Sequence, residues 1–102
     1  MFLVQLLLPL QDGEGRPFNR SLFEELAAEL TERFGGLTAY TRAPATGIWE
    51  ERSGQTVRDQ VVVYEVMTED LEASWWGAFR QRLEAQFDQD ELVVRAQEIR
   101  RL

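Results

Sequence analysis

The chain has 102 residues, 44% of them apolar and 28% charged, with a formal net charge of −7 and neither His nor Cys. That length suits a single domain over residues 1–102, and folding hides only about 60 to 65% of the surface that the unfolded chain exposes, so burial against a partner subunit would add useful stability. Without imidazole or thiol there is no thiolate nucleophile, disulfide or ordinary zinc or haem site, and an acidic chain lacks the basic field that a polyanion requires.

Chemistry here is confined to carboxylates, Tyr, Arg, Ser and Thr. The adjacent acids Glu24–Glu25 and Glu50–Glu51 sit among solvent-like neighbours and read as solvated faces, so no metal and no cofactor is predicted. All eleven basic residues are Arg. Codon bias in a GC-rich bacterial genome accounts for this more simply than phosphate recognition does.

Residues 1–10 are apolar enough to raise the question of a signal peptide. No Lys or Arg precedes the run, Gln5 interrupts it, no small-residue cleavage site follows, and it is too short to span a bilayer. The expectation is a buried strand in a cytoplasmic protein that makes no membrane contact.

In chain order, residues 2–8 form a continuous apolar run of strand length, closed by Pro9 and a loop with an Asp12–Gly13 turn pair. Its near-continuous hydrophobicity suits a central strand covered on both faces. Ser21 and Glu24 fit a capping box, and Leu22, Phe23, Leu26, Ala27, Leu30 and Phe34 fall on one helical stripe, so a helix is predicted over 22–34 with Gly35 as its left-handed terminator. A second strand is predicted over 37–42, interrupted by Pro44 and Gly47 and resumed at Ile48–Trp49. It forms an irregular hairpin with its tip near Ser53 and a return strand over 60–67. Thr68 is the expected cap of a second helix over 69–87, with Leu71, Trp75, Phe79 and Leu83 as its core stripe and Trp76 partly exposed. A last strand is predicted over 92–97.

The order strand, helix, strand, strand, helix, strand predicts an α+β, ferredoxin-like βαββαβ sandwich: a four-stranded antiparallel sheet with both helices on one face and strands one and three central. The segment Phe34-Gly35-Gly36-Leu37-Thr38, with Gly47-Ile48-Trp49 and Val63-Tyr64-Glu65-Val66, resembles a family of small uncharacterised bacterial proteins sharing Phe-Gly-Gly-x-Thr and Gly-x-Trp motifs. The resemblance covers most of the chain and implies the same fold but no activity, so no catalytic residue is carried over. Physically, Gly35 and Gly36 permit a tight exit from the helix, Phe34 anchors that exit, and Gly47 would allow positive φ where the second strand breaks.

Strand alternation then sorts the two faces of the sheet. Phe2, Val4, Leu6, Leu8, Val62, Tyr64 and Val66 point to the helices. Leu3, Gln5, Leu7, Val61, Val63, Glu65, Met67, Thr38, Tyr40, Arg42, Val93, Arg95 and Gln97 occupy the open face. An apolar band of this kind is seldom left bare on a monomer, so a second copy is expected to cover it, giving a homodimer. The alternative is a cofactor-independent enzyme with a small anionic ligand between sheet and cover: Arg42 or Arg95 on the anion, Tyr40 and Trp49 walling the pocket, Glu65 as base. In either case Glu65 is expected to meet Arg42, Arg95, Gln5 or Tyr40, because an unpaired charge in the run 61–67 would be costly. Nucleic-acid binding is not predicted, since Phe2 and Tyr64, the aromatics of the central strands, face the helices.

Overall fold

The apolar opening run forms β1 (Phe2–Pro9), followed by α1 (Arg20–Phe34), β2 (Thr38–Glu50), β3 (Thr56–Thr68), α2 (Ala73–Gln86) and β4 (Val94–Glu98), in a computed structural model that describes residues 1–50 and 54–102. The strands pair antiparallel in the order β2-β3-β1-β4, which puts β1 and β3 at the centre. One buried cluster joins Val4, Leu6 and Leu8 of β1 and Val62, Tyr64 and Val66 of β3 to Leu26 and Leu30 of α1 and Trp76, Phe79 and Leu83 of α2. Both helices therefore cover the same sheet face, and the fold is ferredoxin-like.

Among the described residues the buried cluster on that face is made of hydrophobic side chains, and its Tyr64 hydroxyl donates to the Phe23 carbonyl at 3.4 Å. Phe87, just beyond α2, is fully buried and takes the edges of Phe18 and Phe23 at 5.2 and 5.4 Å between ring centroids. Each such large apolar side chain stabilises the fold by roughly 1.5–3 kcal/mol relative to exposure. Polar ties fix the layer's ends. Glu84 accepts from the Leu92 amide at 2.9 Å and pairs with Arg80 at 2.8 Å, so the chain leaving α2 is held where it turns into β4. The loop after β1 closes on Asp12, whose carboxylate accepts the Glu14 and Arg16 amides at 2.9 Å. Those bonds, the one from Arg16 foremost, hold the Asp12 carboxyl below its ordinary value.

Several boundaries differ from the expected ones. Helix α1 begins two residues earlier, because Asn19 rather than Ser21 is its cap: the Asn19 oxygen accepts both the Ser21 amide and the Ser21 hydroxyl at 3.0 Å. Glu24, freed from any capping box, pairs with Arg20 at 3.1 Å. The far end is as expected, with Gly35 at φ 80° donating to the Thr31 carbonyl at 2.8 Å. Strand β2 is not broken at Gly47, which pairs with Asp59 inside a continuous ladder. The irregularity lies earlier: Tyr40 pairs with Val63 and Ala45 with Val61, so β2 bulges across Pro44. The expected hairpin tip at Ser53 lies outside the described residues.

Helix α2 starts at Ala73 and not at 69, because Thr68 is still paired with Phe2 at the end of β3 and its hydroxyl donates to the Asp70 carbonyl at 3.0 Å. The two tryptophans also exchange roles. Trp76 is buried and stacks on Phe34 at 5.2 Å and 12°, whereas Trp75 is half-buried and Leu71 exposed. Steps of four residues drift by about 40° per step around a helix of 3.6 residues per turn, so the stripe that stays on the core is Trp76, Phe79 and Leu83. Strand β4 starts at Val94, two residues later than expected, and Leu92 instead plugs the core at 3% exposure.

Candidate functional site on the open sheet face

Opposite the helices, the pleat presents the alternate residues of each strand. Gln5 lies at the middle of β1 and is paired in register with Glu65 of β3 on one side and Arg95 of β4 on the other. Their side chains use that register. The Gln5 amide nitrogen donates to Glu65 Oε1 at 2.6 Å, and its carbonyl oxygen accepts from Arg95 Nε at 2.9 Å. Tyr40 of β2 adds a phenol that donates to Glu65 Oε2 at 3.2 Å. A single hydrogen-bonded row, Arg95–Gln5–Glu65–Tyr40, thus crosses all four strands.

The row is electrostatically ordered. The Gln5 amide dipole sits with its acceptor toward the guanidinium and its donors toward the carboxylate, so it couples two charges that do not touch. The negative charge of Glu65, its hydrogen bond and a lesser desolvation raise the Tyr40 phenol above its ordinary value, so it remains a donor at neutral pH. Among the described residues neither Arg95 nor Glu65 forms an ion pair.

Apolar residues flank the row. Leu3, Leu7 and Val63 are half-buried, while Met67 and Val93 are 47% and 45% exposed. Val61 was expected in this band, but it is already buried at 8% exposure and adds little to the open surface. Of the sequence-predicted site residues, the fold brings Glu65, Tyr40 and Arg95 together, the last through Gln5. The side chains of Arg42 and Trp49 lie outside the described residues.

Solved structures share this architecture. A phage SAM lyase in complex with S-methyl-5′-thioadenosine is 22% identical, with a TM-score of 0.63 over 95% of this chain and 80% of that one. The apo form of a phage SAM lyase is 18% identical, with a TM-score of 0.60 over 95% and 79%. The divalent cation tolerance protein Cut A1 from Thermus thermophilus is 18% identical, with a TM-score of 0.63 over 97% and 84%. At these identities the likeness carries the fold alone. No protein-family model and no curated protein matches the chain significantly.

Among the described residues Glu65 lines neither of two clefts that indent the surface. One, of about 260 Å³, lies where α1 ends against the start of α2, among Arg33, Phe34, Asp70, Glu72, Trp75 and Trp76. There the Arg33 guanidinium sits 3.9 Å from the Trp75 ring centre and 3.3 Å from Glu72. Sequence reasoning placed Trp75 in the core and so missed this arginine-filled cleft; only the correct phase of α2 would have shown it. Gln5 was expected on the open face as one of four possible partners of Glu65, but not as the link from Glu65 to Arg95, since a lone amide in an apolar strand gives no sign of which two charges it will join. Among the described residues no group of three acidic side chains is placed to hold a metal ion, and no helix is long and apolar enough to cross a membrane.

Proposed function

We propose that this chain is a homodimeric interaction or small-ligand-binding module whose working surface is the open sheet face. The observation that carries the reading is the row Arg95–Gln5–Glu65–Tyr40, set between the apolar residues Leu3, Met67, Leu7 and Val63. Half-buried leucines beside ordered charges are what the centre of a protein interface requires: apolar area for affinity, and polar groups already held in place for specificity. Association by two-fold symmetry is the commonest way for one copy of a chain to cover such a patch on another.

Arg95 offers an exposed guanidinium that could hold a small anion, and a neighbour of the same fold is described in complex with a small molecule. The two hydrogen bonds that Glu65 accepts favour its role as a fixed acceptor over that of a catalytic base, which must be free to take a proton from substrate. The resemblance to small bacterial proteins accords with this reading, since the Phe34–Gly35 segment serves as helix cap and core anchor and not as a reacting group.

Sedimentation equilibrium at micromolar concentration tests the proposal. The native chain should sediment at twice its 11.8 kDa, and Leu7→Glu, which puts a charge into the apolar band, should sediment as a monomer with an unchanged far-ultraviolet circular dichroism spectrum. A native chain that remains a monomer overturns the reading.

A further inference from the structure

Opposite charges stand on either side of Gln5: Arg95 on β4 and Glu65 on β3, one strand away in each direction. Sheets that pack face to face lie about 10 Å apart with their strands roughly aligned, so a two-fold axis between two copies of this face has two simple settings. If the axis runs across the strands, each residue of the row meets its own counterpart, and Arg95 lies against the partner's Arg95. If it runs along β1, the row is reversed left to right. Arg95 then lies against the partner's Glu65, Glu65 against the partner's Arg95, and Gln5 against the partner's Gln5. Apolar contacts do not choose between the settings, because Leu3 and Leu7 flank Gln5 on both sides and meet leucine either way. Charge does choose, since like charges facing each other in a desolvated interface cost more than the contact returns.

We infer that the open face binds a second copy of this chain about a two-fold axis parallel to β1, with two reciprocal Arg95–Glu65 ion pairs at its centre. The inference rests on the homodimer reading and adds the register of the two copies. It explains the intrachain arrangement. Gln5 and Tyr40 bind Glu65 through neutral groups, leaving its charge to be met from outside, and Arg95 spends only Nε on Gln5. Both ions are thus oriented before association, which lowers the ordering cost of forming the pair.

The test is a charge exchange, read as the dimer dissociation constant by sedimentation equilibrium with circular dichroism as the check on folding. Arg95→Glu and Glu65→Arg should each weaken the dimer by about tenfold or more, because each sets two pairs of like charges face to face. Both changes in one chain restore opposite charges and should return the constant to within about threefold of native. Should the reversals compromise folding, Arg95→Gln, Glu65→Gln and their combination form a milder cycle, with the combined loss expected to be smaller than the two losses added. A native dimer that the single reversals leave unchanged, or that the exchange fails to recover, overturns this register while leaving the homodimer standing. A native monomer overturns both.

Discussion

Leu6 and Leu7 are neighbours on β1, yet the two faces they serve are built on different principles. Leu6 enters a layer that is fully dry, with 0% exposure, where helix and sheet side chains interlock. Leu7 lies in a band that alternates with a polar row and is only half covered. The covered face therefore determines whether the chain folds. The open face adds less to the stability of one chain, and its charges are ordered by the hydrogen bonds of Gln5 and Tyr40.

The largest effect expected from this contrast is at Leu6. Leu6→Ala should cost about 2–5 kcal/mol of unfolding free energy, since it removes packed atoms and leaves a cavity between layers. Leu7→Ala should cost only about 1 kcal/mol in a single chain, because part of its surface already meets water. Chemical denaturation at a concentration low enough to hold the chain monomeric compares them. Equal losses would mean that the open face is covered within one chain.

A second, smaller contrast compares the cap that secures the helical layer with the turn beyond it. Gly35 and Gly54 have φ of 80° and 83°, so both occupy the left-handed region, and a Cβ at either would meet no atom within 4 Å. Strain alone therefore costs about 1–2 kcal/mol at each. Gly35→Val adds a β-branched side chain at the residue that ends α1 and donates to Thr31, so its loss should exceed that of Gly54→Ala by about 1 kcal/mol. Denaturation midpoints that coincide would show that the exit from α1 does not depend on this cap.

On the open face, Gln5→Met should lower stability by about 1 kcal/mol, the worth of the bonds to Glu65 and Arg95 less what water returns to exposed partners. Gln5→Met in a Glu65→Gln background should then cost less than in the native chain, since the charge it serves is gone. Strictly additive losses would break the row as a physical unit.

How much of this was legible in the sequence follows from which periods the residues obey. Alternation in β1 and β3 sorted the two faces correctly, because a strand has a period of two and a slip of one residue would have reversed every side chain. The same alternation brought Glu65, Tyr40 and Arg95 to one face before any contact was known. Helix α2 was less legible: Leu71, Trp75, Phe79 and Leu83 make a convincing stripe, yet the helix begins after Leu71 and turns Trp76 inward. The bulge in β2 left no reliable mark beyond Pro44, because pairing on β3 decides where the extra residues go. Nor could the cap of α1 be chosen by pattern, since Asn19 and Ser21 are equally good capping residues and only the backbone path from the preceding loop selects the first.

The finest distinction between the faces is electrostatic and can be read from the chain's two tyrosines. Both phenols are raised above the ordinary value of 10.0, but for different reasons. Tyr64, on the covered face, is raised first by burial and then by the charge of Glu24. Tyr40, on the open face, is raised first by the charge of Glu65. In each case the folded state holds its proton more tightly than the unfolded one. The resulting stability is therefore complete below the unfolded pKa near 10.0 and is lost as pH rises through the higher folded value. An alkaline titration followed by tyrosinate absorbance should accordingly give two midpoints above 10.0, and Tyr64→Phe assigns the one that remains to Tyr40. Glu65→Gln should bring the Tyr40 midpoint back toward its ordinary value, because the charge responsible has been removed, and should leave Tyr64 where it was. If Tyr40 titrates unchanged in Glu65→Gln, its phenol does not sit against that carboxylate in solution, and the row ends at Glu65.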